Sequence, residues 1–152
     1  MMSLFRLCFA AAALALALTA PALAQTDDDV TGLISLHFGD PVPFIEAFDA
    51  IKAAVEADDA EAFADWISYP FKTKVDGEDY EFDGPEGVIE HYDAMMTAEI
   101  RAAIVGQQYK DLFVNSEGVM FGDGQLWLSG VCATDDCEDI DVRIIAVQSA
   151  AK

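Results

Sequence analysis

The triplet His91-Tyr92-Asp93 contains the residue types from which a cofactor-free proton-transfer site could be built. An imidazole or carboxylate moved toward a neutral pKa by burial can act as a general base, the chemistry that enolisation needs. The three residues are consecutive, however, and on a helix of about 3.6 residues per turn their side chains point about 100° apart. They cannot all enter one pocket. Only Tyr92 shares the apolar stripe of its segment, so we read Tyr92 as packed and His91 and Asp93 as solvated, and assign no catalytic residue. The alternative is an isomerase- or dehydratase-type enzyme that uses Asp93 or His91 with Tyr92 or Tyr69. A second set, Trp66, Tyr69, Phe71, Tyr92 and Trp127, offers aromatic surface with hydroxyl and indole donors, suited to a pocket for a flat apolar ligand. The same residues would also serve as the core that a small domain requires.

Two further groups invite a metal or redox reading. Cys132 and Cys137 are separated by four residues, whereas a redox pair usually has two between its cysteines. Two thiols with two distant histidines are too few for zinc. In an oxidising compartment the pair is expected to form a structural disulfide that closes a tight polar loop. Around it Asp135, Asp136, Glu138, Asp139 and Asp141 form a dense acidic cluster, but without the ordered ligand spacing of a calcium-binding loop. It reads as a charged loop facing solvent, and no metal is expected. The chain also lacks a Gly-rich phosphate loop, a nucleophile elbow and a paired-His motif, so no cofactor is expected.

The compartment follows from residues 1–24. Arg6 supplies a positive start, Cys8 to Thr19 run apolar, and Ala22-Leu23-Ala24 offers a small-x-small cleavage site, the pattern of a signal peptide. The apolar run is shorter than the ~20 residues that span a bilayer, so no membrane span is expected after cleavage. The protein is expected to be periplasmic or secreted. Its 28 acidic against 8 basic residues give a formal charge of -20, which disfavours nucleic acid and anionic membranes and favours cationic partners; it reads as a solvated acidic surface suited to an extracytoplasmic environment, with a decoy for a basic protein as the sharper alternative. With 53% hydrophobic residues the chain can bury enough surface to fold.

The elements that must position these groups are legible from periodicity. Residues 25–42 show no lasting period and read as a flexible acidic leader whose apolar stretch could pack as a short strand. Residues 43–152 form the folded domain. Phe44, Phe48, Ile51 and Val55 mark an amphipathic helix. Asp58 then sits three residues ahead of Glu61 like a capping box, opening a second helix with Phe63, Trp66 and Ile67 on its stripe. From Ser68 the period changes to two, and Asp76-Gly77 turns a hairpin toward Tyr80 and Phe82. Asp83-Gly84-Pro85-Glu86 starts a third helix, buried through Val88, Ile89, Tyr92, Met95 and Met96. Thr97 caps a fourth segment that carries Ile100, Ala103 and Ile104 to Gly106. Strands at Leu112–Val114, Val119–Phe121, Leu126–Leu128 and Ile140–Val147 follow, the last with Ile140, Val142, Ile144 and Ala146 on one face. The order predicts an α+β domain with helices covering one face of an antiparallel sheet.

This order, with Trp66-Ile67-Ser68-Tyr69-Pro70-Phe71, Tyr92-Asp93 and the stretch Glu117 to Trp127, resembles the NTF2-like superfamily, and among it small exported bacterial proteins. The resemblance covers residues 44–147. It implies a curved sheet wrapped around a long third helix as a cone whose mouth or interior holds a ligand, with dimerisation through the exposed sheet face. No catalytic motif of that superfamily can be matched residue by residue. The expected function is an exported, non-catalytic binding module. Its partner is expected to be a small apolar molecule or a basic protein, and a further alternative to the binding module is an acidic inhibitor or immunity-type protein that caps a basic partner through its acidic face.

Overall fold

The computed structural model describes residues 24–137 and 140–150; the signal-peptide reading falls, but for Ala24, outside them. The first element begins at Thr26. Its hydroxyl accepts the Asp29 amide (3.2 Å) while the Asp29 carboxylate accepts the Thr26 amide (2.9 Å), a capping box that also holds the Asp29 carboxyl below its usual pKa. Helix α1, Asp27–Phe38, follows, with three acids at its positive end. Val30 and Ile34 are fully buried, and Gln25 ties the helix start to the carbonyls of Lys110 and Leu112. Residues 25–42 are therefore not the irregular leader or short strand expected from their pattern. The helix buries only a narrow stripe, and the apolar Leu36 is 75% exposed, so the period is blurred in the sequence.

Helix α2, Val42–Glu56, buries Phe44, Phe48, Ile51 and Val55 as expected. Asp58 lies in the left-handed region (φ 58°), and the cap of α3, Ala60–Ala64, is Asp59, which accepts the Ala62 amide at 3.0 Å. The N-cap is thus one residue later than expected, because Asp58 is used to turn the chain out of α2, and with Ala62 at the third helical position no reciprocal bond completes a capping box. Helix α3 ends before Trp66 and Ile67.

Strands β1, Phe71–Val75, and β2, Glu78–Phe82, form the expected hairpin, with Asp76 (φ 51°) and Gly77 (φ 90°) supplying the two positive-φ positions of its turn. The expected third helix is divided into α4, Pro85–Glu90, and α5, Tyr92–Met95. The break is at His91 (φ -105°, ψ 11°), and it leaves Ile89 37% exposed rather than buried. Thr97 caps α6, Ala98–Gly106, accepting the Ile100 amide as expected.

The chain then meanders through β3 (Phe113–Asn115), β4 (Gly118–Phe121), β5 (Leu126–Cys132) and β6 (Ile140–Val147), antiparallel and in that spatial order. A register shift at Trp127/Leu128 leaves Ile145 without a paired position, so the face changes there. Val147, not Ala146, joins Val142 and Ile144 in the core, and Ile140 is 50% exposed. Strand β1 of the hairpin runs alongside β6, joined near its end by the Lys74–Gln148 bridge and by the Thr73 hydroxyl donating to the Val147 carbonyl, while Ile67, ahead of the hairpin, bridges to Ile144. The result is an α+β domain. One apolar cluster fills the space between helices and sheets, with Phe63, Phe71, Phe121, Met95 and Ile100 each less than 2% exposed. At the far end of the β5–β6 hairpin the sulfurs of Cys132 and Cys137 lie at disulfide distance, their Cα atoms 4.7 Å apart. No helix of the described residues is long and apolar enough to cross a membrane.

Candidate functional site

The break between α4 and α5 separates the proton-transfer candidates. His91 is exposed, its Nδ1 3.0 Å from the Gly87 carbonyl oxygen, and Asp93 is exposed. Tyr92 is 3% exposed and meets Phe63 edge-on at 5.6 Å. Its buried hydroxyl finds no hydrogen-bond partner of good geometry among the described residues. Burial pushes this phenol above its ordinary pKa, while the Arg101 guanidinium, 5.9 Å from the ring centre, opposes that shift. Arg101 itself is held by the Val55 carbonyl (2.6 Å) and paired with Asp58.

The five aromatic candidates are dispersed. Phe71 and Tyr92 lie in the core. Trp66 and Tyr69, both half-buried, line two different surface grooves that share Arg143. Trp127 alternates with the buried Leu126 and Leu128, so it faces outward from the sheet, edge-on to Phe113 at 6.4 Å. It lies over Gly118, where an added Cβ would meet the Leu128 carbonyl oxygen. Thus the structure brings Phe71 and Tyr92 into one core and places Trp66, Tyr69 and Trp127 at separate surface positions.

Tyr69 has a measurable consequence. Its hydroxyl donates to the Ala64 carbonyl (3.0 Å), and burial, with the carboxylates of Asp65 and Glu86 nearby, pushes its pKa up to about 12. A phenol that ionises near 10 when unfolded then favours the folded state fully below that pH, and this contribution is lost as pH rises through about 12. Thermal melts between neutral pH and this window should show a falling Tm, and Tyr69→Phe should flatten that part of the fall. A profile unchanged by the substitution would assign the loss to other groups.

What the structure does assemble is a charged surface built on the β1–β2 hairpin. A two-residue turn fixes Val75 opposite Glu78, so alternation sends Phe71, Val75 and Phe82 inward and sets Lys72 against Glu81 and Lys74 against Asp79 on the outer side. Both pairs close, at 2.8 and 3.1 Å, but they are exposed and add little stability. Between the hairpin and the end of β6 lies a groove of about 540 Å³, bordered by Lys72, Lys74, Glu81, Ala146 and Gln148. On the inner side Tyr80 stacks on Phe82 (6.0 Å), and both rings meet His91. The Tyr80 hydroxyl donates to Glu78 at 3.1 Å, and burial, then Glu78 and Asp76, raise its pKa. Residues 76–93 carry eight acidic side chains and neither Lys nor Arg, so the outer strand and the two short helices after it carry net negative charge, offset on β2 by Lys72 and Lys74 of the neighbouring strand at Glu81 and Asp79.

The role of Lys72 and Lys74 is absent from the sequence reading, although the signal was there: once Asp76-Gly77 is accepted as a two-residue turn, the cross-strand partners of both lysines follow. Of the acidic cluster near the disulfide, Glu138 and Asp139 lie outside the described residues, and Asp141 pairs with Arg143 at 3.1 Å. Among the described residues no three His, Cys, Asp or Glu side chains converge as a metal site. No protein-family model matches this chain, and neither a curated protein nor a solved structure matches it.

Proposed function

We propose that this is an exported binding module, a variant of the NTF2-like arrangement without catalytic activity of its own, which engages a basic partner protein across its acidic surface. The observation that carries the reading is the contrast between inside and outside. The space between helices and sheets, where the cone would hold a small apolar ligand, is filled by Phe63, Phe71, Phe121 and Met95, whereas none of the charged side chains among the described residues is buried in a chain of formal charge -20. His91 and Asp93 in water support the same reading, because a general base needs a partly desolvated position beside its substrate. The order of elements supports the NTF2-like resemblance; the division at His91 replaces that superfamily's long helix by two short ones. The cysteine pair at disulfide distance is compatible with a periplasmic or secreted location.

Affinity capture from an extracytoplasmic extract, at low and at high salt, tests the reading. Exposed charges are screened over about 10 Å at 0.1 M salt and over about 3 Å at 1 M. We expect a basic protein to be retained at low salt and released as salt rises. Retention that ignores salt, or recovery of a neutral metabolite alone, would contradict it.

A further inference from the structure

The outermost strands of the β arrangement are β3 at one end and β2 at the other, because β1 of the hairpin lies alongside β6. The two edges are treated differently. At β3, helix α1 packs over the strand and Gln25 caps the carbonyl of Leu112. Helix α4 packs against β2 through Phe82, beside Gly87, but among the described residues no hydrogen bond from a helix or a capping side chain reaches the outer peptide groups of β2. Its turn makes Val75–Glu78, Thr73–Tyr80 and Phe71–Phe82 the hydrogen-bonded pairs, so the peptide groups of Asp79 and Glu81 point away from β1. Both residues are exposed, and no hydrogen bond among the described residues reaches their backbone groups. An edge with free donors and acceptors is a template for one more strand.

Charge selects what that strand can be. Residues 76–83 carry five acidic side chains and no basic one. A second copy of β2 would set acid against acid across the new ladder, which is destabilising, whereas a strand with Lys or Arg at alternate positions is complementary. From this we infer that β2 docks an extended basic segment of the partner by strand addition, its basic side chains lying beside Asp79 and Glu81 on one face or beside Glu78 and the Tyr80 ring on the other. The inference rests on the basic-partner reading above and adds the element, the binding mode and the backbone groups involved.

The test uses the purified protein and three synthetic eight-residue peptides: one alternating Lys with Val, one of the same sequence with alternate backbone amides N-methylated, and one alternating Glu with Val. Titrations at low salt are followed by amide NMR. The first peptide should bind and slow exchange of the Asp79 and Glu81 amides. The N-methylated peptide keeps the charge but loses ladder bonds and should bind at least about tenfold more weakly, and the acidic peptide should not bind. Asp79→Pro, which removes one outward donor without touching a bond to β1, should weaken the first peptide similarly; the peptide comparison stands even where that variant fails to fold. Equal affinity for the first two peptides, protection elsewhere than β2, or no binding overturns strand addition. If salt-sensitive capture still yields a basic protein, the basic-partner reading survives that failure. If the peptide docks on β2 but capture yields no basic protein, the docking mode stands and the functional reading falls.

Discussion

Phe121→Ala is expected to lower the folding free energy by about 3–5 kcal/mol, read as a fall in the midpoint of denaturant unfolding with an unchanged slope. Phe121 is fully buried on β4, opposite Leu126 on β5, with its ring 5.4 Å from that of Phe48 on α2. It therefore joins the sheet to the helix layer, and truncation would both lose apolar transfer energy and open a cavity that backbone on two layers cannot easily close. The result bears on function as well as stability. A loss below about 1 kcal/mol would mean that the interior is loosely filled or hydrated, and the case for a ligand between the helices and the sheets would return.

Ile34→Ala is expected to cost about 2–5 kcal/mol, while Leu36→Ala, two residues away, should stay within about 0.5 kcal/mol of the parent. Ile34 is fully buried and Leu36 is 75% exposed, so the pair separates docking of α1 from hydrophobicity in general. If residues 25–42 were a mobile leader, both substitutions would be silent. The comparison also tests how the β3 edge is covered, since α1 lies over that strand and its loss would leave the sheet open at both ends.

Where the chain's local signals are strong and agree with burial, the fold is legible in the sequence. Asp76-Gly77 gives the hairpin and its register, Thr97 its helix start, and the i, i+4, i+7 spacing of Phe44, Phe48 and Ile51 the buried face of α2. Elsewhere tertiary packing decides. The narrow buried stripe of α1 is masked by apolar Leu36 on the solvent side. The division at His91 leaves no mark, because Val88, Tyr92 and Met95 keep helical spacing across it. The face change at Ile145 depends on the register shift opposite it, which alternation alone does not reveal.

The candidate site was legible in one respect: helical geometry already separates His91, Tyr92 and Asp93 in direction. Dispersal of the aromatic set was not, because it depends on which parity of each strand faces the helices. Trp127 lies between two buried leucines and so has the outward parity, while Phe71 has the inward one. The negative field was plain from composition, but its concentration on the open edge of β2 required the strand order.

The most direct measurement is hydrogen exchange of the protein alone and bound to whatever basic protein it captures at low salt. A surface binding module should gain protection in the hairpin between Phe71 and Phe82, with the buried amides around Phe63, Tyr92 and Phe121 unchanged. New protection confined to those interior positions, with the hairpin exchanging as before, would contradict the account.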